Sequence, residues 1–153
     1  MIANGDTSDE LRTALRELRI ELSISTYRVA SVAGLNYSDL AVLDVLGRDG
    51  TQSPTDLARR TGIHLATMTG VLARLEKAGW IVRRPVAADR RRVQIESAGF
   101  ARLTAIYQDG NRRLDVMDAG LTAEQVGTVL DYLRAVTRAV RASSLELAGT
   151  ESR

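Results

Sequence analysis

Nine cationic side chains crowd the stretch from Leu57 to Arg92, and the chemistry they share is pairing with anions. They are Arg59, Arg60, Arg74, Lys77, Arg83, Arg84, Arg90, Arg91 and Arg92. Only Glu76 and Asp89 oppose them, so the stretch carries +7 and leaves −5 for the remainder of a chain of net charge +2. A basic middle between mildly acidic ends is the footprint of a module that neutralises phosphates. On charge alone, a merely solvated run of arginines reads the same way. Other chemistries are excluded more firmly. Without cysteine there is no disulfide, thiol nucleophile or thiol redox sensor. His64 is the single histidine, too few for a histidine-rich metal site. No glycine-rich loop is suited to cradle a nucleotide phosphate. The expectation is therefore a protein that is not an enzyme, with no metal and no cofactor.

The elements that must position these cations can be read from caps and periodicity. Residues 1–7 read as disordered, and Thr7-x-x-Glu10 as a capping box opening a first helix. Leu11, Leu15, Leu18 and Leu22 follow in 4-3-4 spacing, an apolar stripe that needs a partner surface. This helix runs to about Val32, where Gly34 interrupts. A second helix spans Ser38–Leu46. Ser53-Pro54, a serine cap before a proline in the first turn, starts a short third helix that ends near Arg60 and Gly62.

The next helix runs from Leu65 to Ala78 and stops at Gly79. Met68, Val71, Leu72 and Leu75 form its inward face. Ala66, Thr67, Gly70, Ala73, Arg74 and Lys77 form the outward one. Trp80–Arg83 then reads as a strand, Pro85–Asp89 as a loop and Arg92–Ile95 as the returning strand. Ser97 caps a long helix through Leu103, Ile106 and Leu114. Thr122-x-x-Gln125 is a second capping box. It opens a last helix with Val126, Val129, Leu130, Leu133, Val136 and Val140 inward.

Two short helices joined around a glycine, the second with a small-residue, cationic outer face, make a helix-turn-helix. Small side chains matter there because a major groove ~12 Å wide barely admits a helix. The hairpin tip Asp89-Arg90-Arg91-Arg92 suits a narrower minor groove, where negative potential is focused. The fold class is mainly α with a small β-wing. Residues 36–97 form a winged helix-turn-helix lobe, and residues 8–35 and 98–148 flank it as dimerisation helices.

Three stretches resemble the MarR regulators of multiple antibiotic resistance. They are Ser53-Pro54-Thr55-Asp56-Leu57-Ala58, Leu72 through Arg83, and Pro85 with Asp89-Arg90-Arg91. The resemblance covers Tyr37 to Arg92, while the flanking helices match in position and amphipathicity rather than motif. It implies a triangular homodimer, with intertwined terminal helices and two winged helices splayed onto a palindrome. It also implies a repressor of transcription released from double-stranded DNA by a small, phenolic or anionic effector. The site residues expected on DNA are Ser53, Thr55, His64, Ala66, Thr67, Thr69, Gly70, Arg74, Arg84, Arg90 and Arg91. Asp89 resembles a wing aspartate that orients a neighbouring arginine. Leu11, Leu15, Leu18, Leu22, Val129, Leu133, Val136 and Val140 are the expected dimerisation contacts.

Two departures from the family pattern stand out. Gly70 occupies a position where relatives often place a base-reading arginine. The stretch Ile95-Glu96-Ser97-Ala98-Gly99 is about two residues shorter than the family's, which leaves the second wing strand's length open. Gly70 reads either as permitting close approach to DNA or as tolerated drift, and His64 as a phosphate contact or a plain helix-start residue. Trp80 reads as core or interface packing, and Tyr27, Tyr37 and Tyr107 as pocket-lining or simply hydrogen-bonded tyrosines. A rival reading keeps the winged helix as a protein–protein adaptor without DNA binding. Its sign would be acids on the outer face of Leu65–Ala78. No apolar run reaches the ~18 residues of a membrane span, and the start lacks the order of a signal peptide. The expected location is the cytoplasm, with no membrane partner.

Overall fold

A computed structural model of the chain describes residues 5–86 and 89–150. In chain order the elements are α1 (Gly5–Ala33), α2 (Tyr37–Asp49), α3 (Pro54–Thr61), α4 (Leu65–Lys77), β1 (Ile81–Val86), β2 (Asp89–Ser97), α5 (Phe100–Asp118) and α6 (Ala123–Thr150). The chain divides into two compact units at Ile106/Tyr107.

The first unit is built around α2, the most buried helix. Leu40, Val42, Leu43, Val45 and Leu46 are all buried, and they meet Leu57 of α3 and Met68, Val71, Leu72 and Leu75 of α4. Trp80, Ile81, Ile95 and Leu103 close this core. The i, i+3, i+4, i+7 stripe expected on α4 is thus its buried face. Each burial removes apolar surface from water. Replacing a side chain such as Leu72 by alanine costs roughly 2–5 kcal/mol.

The strands pair antiparallel, with Ile81 opposite Ser97, Arg83 opposite Ile95 and Pro85 opposite Val93. Gln52, between α2 and α3, adds a bridge to Ile95, donating to its carbonyl at 3.1 Å and accepting from its N–H at 2.8 Å. A two-stranded sheet has only edges, so Pro85 can sit in β1 despite its missing donor.

Several element boundaries differ from the sequence reading. α1 begins at Gly5, ahead of the Thr7 cap. The expectation of disorder over residues 1–7 falls in part on residues 1–4, outside the described ones. α2 begins at Tyr37, one residue ahead of the expected Ser38, because Asn36 is its cap. The Asn36 side chain accepts from Asp39 N–H, and the Asp39 side chain accepts from Asn36 N–H. The hairpin is longer than expected. Pro85 and Val86 belong to β1, Asp89 to β2, and the register shifts between Pro85 and Val86, where Val86 faces Asp89. Of the expected Pro85–Asp89 loop, Ala87 and Ala88 lie outside the described residues.

Ser97 ends β2 instead of capping α5, whose first hydrogen bond runs from Leu103 N–H to Gly99 C=O at 3.1 Å. The start is displaced because Trp80 packs on Gly99, where any Cβ would collide with the indole ring.

In the second unit the Thr122/Gln125 box is formed as expected. Thr122 N–H donates to Gln125 Oε1 at 2.8 Å, and Gln125 N–H donates to Thr122 Oγ1 at 3.3 Å. The α6 stripe expected to face inward is open in the single chain, with Val129, Leu130, Leu133 and Val140 exposed. Leu11, Leu18 and Leu22 of α1 are likewise exposed. No single helix among the described residues is long and apolar enough to cross a membrane.

Candidate nucleic-acid interface

The site is assembled by α3, the turn after it, α4 and the hairpin. Ser53 starts α3 twice over. Its hydroxyl accepts from Asp56 N–H at 3.1 Å and donates to the Asp56 carboxylate at 2.6 Å, while Pro54 pre-sets the first turn. That hydroxyl bond, followed by Arg59, holds the Asp56 carboxyl below the ordinary carboxylate range. Ser53 is therefore engaged in the cap, and Thr55 next to it is exposed. Gly62 ends α3 at φ 73°, ψ 7°, a left-handed conformation that glycine adopts without a steric cost, and the chain turns there into α4.

α4 has a buried and an exposed side. Ala66, Thr67, Thr69, Gly70, Ala73, Arg74 and Lys77 are exposed. A Cβ at Gly70 would meet nothing within 4 Å, so no packing inside the chain demands a glycine there. His64 stands at the N-cap position with no side-chain capping bond, leaving its ring exposed beside the helix start. Gly79, at φ 71°, ends the helix. Glu76 is exposed on α4, and Arg83 of β1 donates to it at 2.9 Å.

Two of the guanidinium groups expected to meet DNA, those of Arg74 and Arg84, already have partners within the chain. Arg84 donates to Glu96 across the hairpin at 2.7 Å, and this bond raises its already high pKa. Arg84 is largely exposed, so solvent screens the pair and a phosphate can compete for it. Arg74 differs. It was expected on DNA, yet its Nη2 donates to Asp39 Oδ1 at 2.8 Å, back toward α2. The Asp39 side chain is 6% exposed, against 52% for Arg74. Detaching Arg74 leaves a buried carboxylate with few donors, at a cost toward the lower end of the roughly 1.5–3 kcal/mol of a charged hydrogen bond. Asp39 was missed in the sequence, although Asn36-x-x-Asp39 is a capping pattern of the kind recognised elsewhere in this chain.

Asp89, Arg90 and Arg91 enter β2 through their backbone, at the hairpin tip. Their side chains lie outside the described residues, as do any contacts expected of them. Arg92, next along, is exposed.

The far side of the lobe is locked by a second cluster. Trp80 is 2% exposed, in keeping with the core reading, and the Arg102 guanidinium lies 4.0 Å from its ring centroid. Trp80 C=O accepts from Ala98 N–H at 2.8 Å and from Gly99 N–H at 3.0 Å. These contacts carry the lobe's packing past residue 97 into the first turns of α5. Tyr27 and Tyr37 stack at 5.9 Å between ring centroids, and both are exposed. Among the described residues no group of three or more histidine, aspartate or glutamate side chains could hold a metal ion.

Known proteins share this arrangement. The profile of the MarR family matches residues 33–92, from the end of α1 through α2, α3, α4 and into the returning strand. The HTH-type transcriptional regulator FarR of Neisseria gonorrhoeae is 30% identical over 107 residues, covering 69% of this chain and 73% of that one. A MarR family protein from Bacillus stearothermophilus superposes with a TM-score of 0.70 over 92% of this chain and 99% of the other. At 18% identity that likeness bears on the fold alone. NadR, solved in complex with 4-hydroxyphenylacetate, is 27% identical, with a TM-score of 0.56 over 82% of this chain and 91% of its own. Lobe, hairpin and relatives agree: the chain belongs to the MarR family of winged helix-turn-helix transcriptional regulators, which bind DNA and are not enzymes.

Proposed function

We propose that the protein is a homodimeric repressor that binds a palindromic operator. In this reading α4 enters the major groove while Arg90 and Arg91 on the hairpin tip reach the backbone or the minor groove. The observation that carries the reading is the exposed face of α4. It is built of small side chains, set beyond a left-handed turn and flanked by a cationic hairpin. A helix so trimmed fits a groove that a helix with long side chains would overfill. Thr55 and His64 are exposed at the starts of α3 and α4, and in this reading they meet phosphates at the helix N-termini. Phosphate contacts supply most of the affinity, and the residues along α4 supply the choice of sequence.

The apolar stripes support the two-fold assembly. Leu11, Leu18 and Leu22 on α1, with Val129, Leu133 and Val140 on α6, leave more apolar side chain in water than a lone chain ordinarily carries. Leu15 and Val136 continue the same stripes and are half-buried. Release by a small phenolic or anionic effector is supported by the likeness to NadR, whose solved complex holds 4-hydroxyphenylacetate. Tyr27 and Tyr37 offer a stacked aromatic surface for such a ligand.

The test is recovery and sequencing of DNA fragments retained by the purified chain at physiological salt. Enrichment of an inverted repeat, bound by two chains per site, supports the reading. Enrichment of nothing beyond random sequence refutes it.

A further inference from the structure

The exposed face of α4 withholds the side chain that most often reads guanine. Recognition of guanine O6 and N7 calls for an arginine or lysine free to lay two donors along the base edge. Arg74 is the only arginine of α4, and its Nη2 is held by Asp39 Oδ1 at 2.8 Å. Asp39 is itself fixed. It is 4% exposed, its second oxygen accepts from Asn36 N–H at 3.2 Å, and its own N–H caps onto Asn36. Pulling Arg74 away would strand a buried carboxylate, so the guanidinium serves as a strut between α2 and α4. Lys77, the one other long cation of the helix, is its last residue.

What remains toward the groove is short. By helical spacing, Ala66, Gly70 and Ala73 lie along the middle of the exposed side, opposite Met68, Val71, Leu72 and Leu75, with Thr67 and Thr69 at its margins. These residues offer methyl groups, a bare Cα and two hydroxyls. The base-edge group that small apolar side chains recognise in the major groove is the thymine C5-methyl.

We propose that α4 selects thymine-rich half-sites. Ala66, Ala73 and the methyl of Thr67 meet C5-methyl groups, and Gly70 lets the groove floor approach the helix backbone. Asp39 is a positioning residue that keeps Arg74 from guanine. This rests on the DNA-binding reading above and adds which bases it favours.

The experiment uses the full chain and the tightest duplex recovered from a random pool. Each thymine of one half-site is replaced in turn by deoxyuracil, which keeps base pairing and removes only the methyl. Affinity is expected to fall about fourfold at several positions under α4, the value of one buried methyl-sized group. In a repeat selection, Asp39→Asn, which keeps an acceptor for Asn36 N–H, is expected to shift the selected sequences toward guanine. Uracil replacement without effect at every position overturns the proposal. So does a required guanine whose recognition disappears in Arg74→Ala. The uracil series needs no variant protein, so a poorly folded variant cannot hide the answer. A chain that prefers no duplex over another overturns the DNA-reading function itself, which is a different failure.

Discussion

Gly70 and Arg74 lie on one helix four residues apart, in opposite surroundings: open space beside the first and a buried carboxylate partner for the second. Gly70 has open space where a side chain would go, so alanine there should raise helix stability by up to about 1 kcal/mol. We expect Gly70→Ala to melt higher than the wild type and yet bind operator more weakly, because the added methyl meets only the groove floor. Equal or tighter binding would mean that the glycine has no part in recognition. Arg74→Ala should instead lower the melting temperature, since it orphans the buried Asp39 carboxylate, by roughly 1–3 kcal/mol of stability. Arg91→Ala, at the hairpin tip, should leave the melting temperature alone. It should weaken binding to all DNA sequences alike and reduce the salt slope by about one unit per protomer. Melting curves beside titrations at two salt concentrations separate these three outcomes. Should Arg74→Ala melt like the wild type, the strut between α2 and α4 is not load-sharing and the arginine is free.

Among the elements, α3 is the shortest helix and depends most on its ends. Ser53→Ala removes a cap that serves both the Asp56 N–H and its carboxylate, and should cost about 1 kcal/mol. Ser53→Gly should cost only a few tenths. The same anchoring carries a pH signature. Asp56 is held below the ordinary carboxylate value of 3.8 by Ser53 and then Arg59, and Asp49 by Arg48 and then Arg60. A carboxyl depressed in the folded state adds stability that is full above its unfolded value and is lost as pH falls through the folded one. Thermal midpoints should therefore drop more steeply in the wild type than in Asp56→Asn as pH falls below ~4, because the variant has less to lose there. Parallel curves would remove Asp56 from the account.

Much of this element scale was legible in the sequence, because local signals agreed with the fold. Ser53-Pro54, the glycines at 62 and 79, the Thr122/Gln125 box and the α4 stripe all stand where local chemistry puts them. The failures came where distant packing decided. α5 starts after Gly99 because Trp80 lies against that glycine, and no local pattern reports it. Arg74 turns inward because Asp39, 35 residues away in sequence, is buried beneath it. The hairpin outgrew its expected loop through cross-strand pairing, which a propensity reading of Pro85 disfavours.

At the scale of the whole molecule, the assembly is expected to rest on surfaces that the single chain leaves uncovered. Leu18 of α1 and Leu133 of α6 are both exposed, at 48% and 42%, so glutamate at either position should not disturb the folding of one chain. Leu18→Glu and Leu133→Glu should each shift sedimentation at micromolar concentration from dimer toward monomer. Helical circular dichroism should be largely kept, and operator affinity should drop with the dimer. An unchanged dimer in both variants would place the interface elsewhere. Whether the lobe reads DNA sequence is decided by competition binding. The full chain is titrated at physiological salt against its enriched duplex and against a shuffled duplex of the same composition. The account predicts that the enriched duplex binds at least ~10³-fold more tightly, and equal affinity for the two would contradict it.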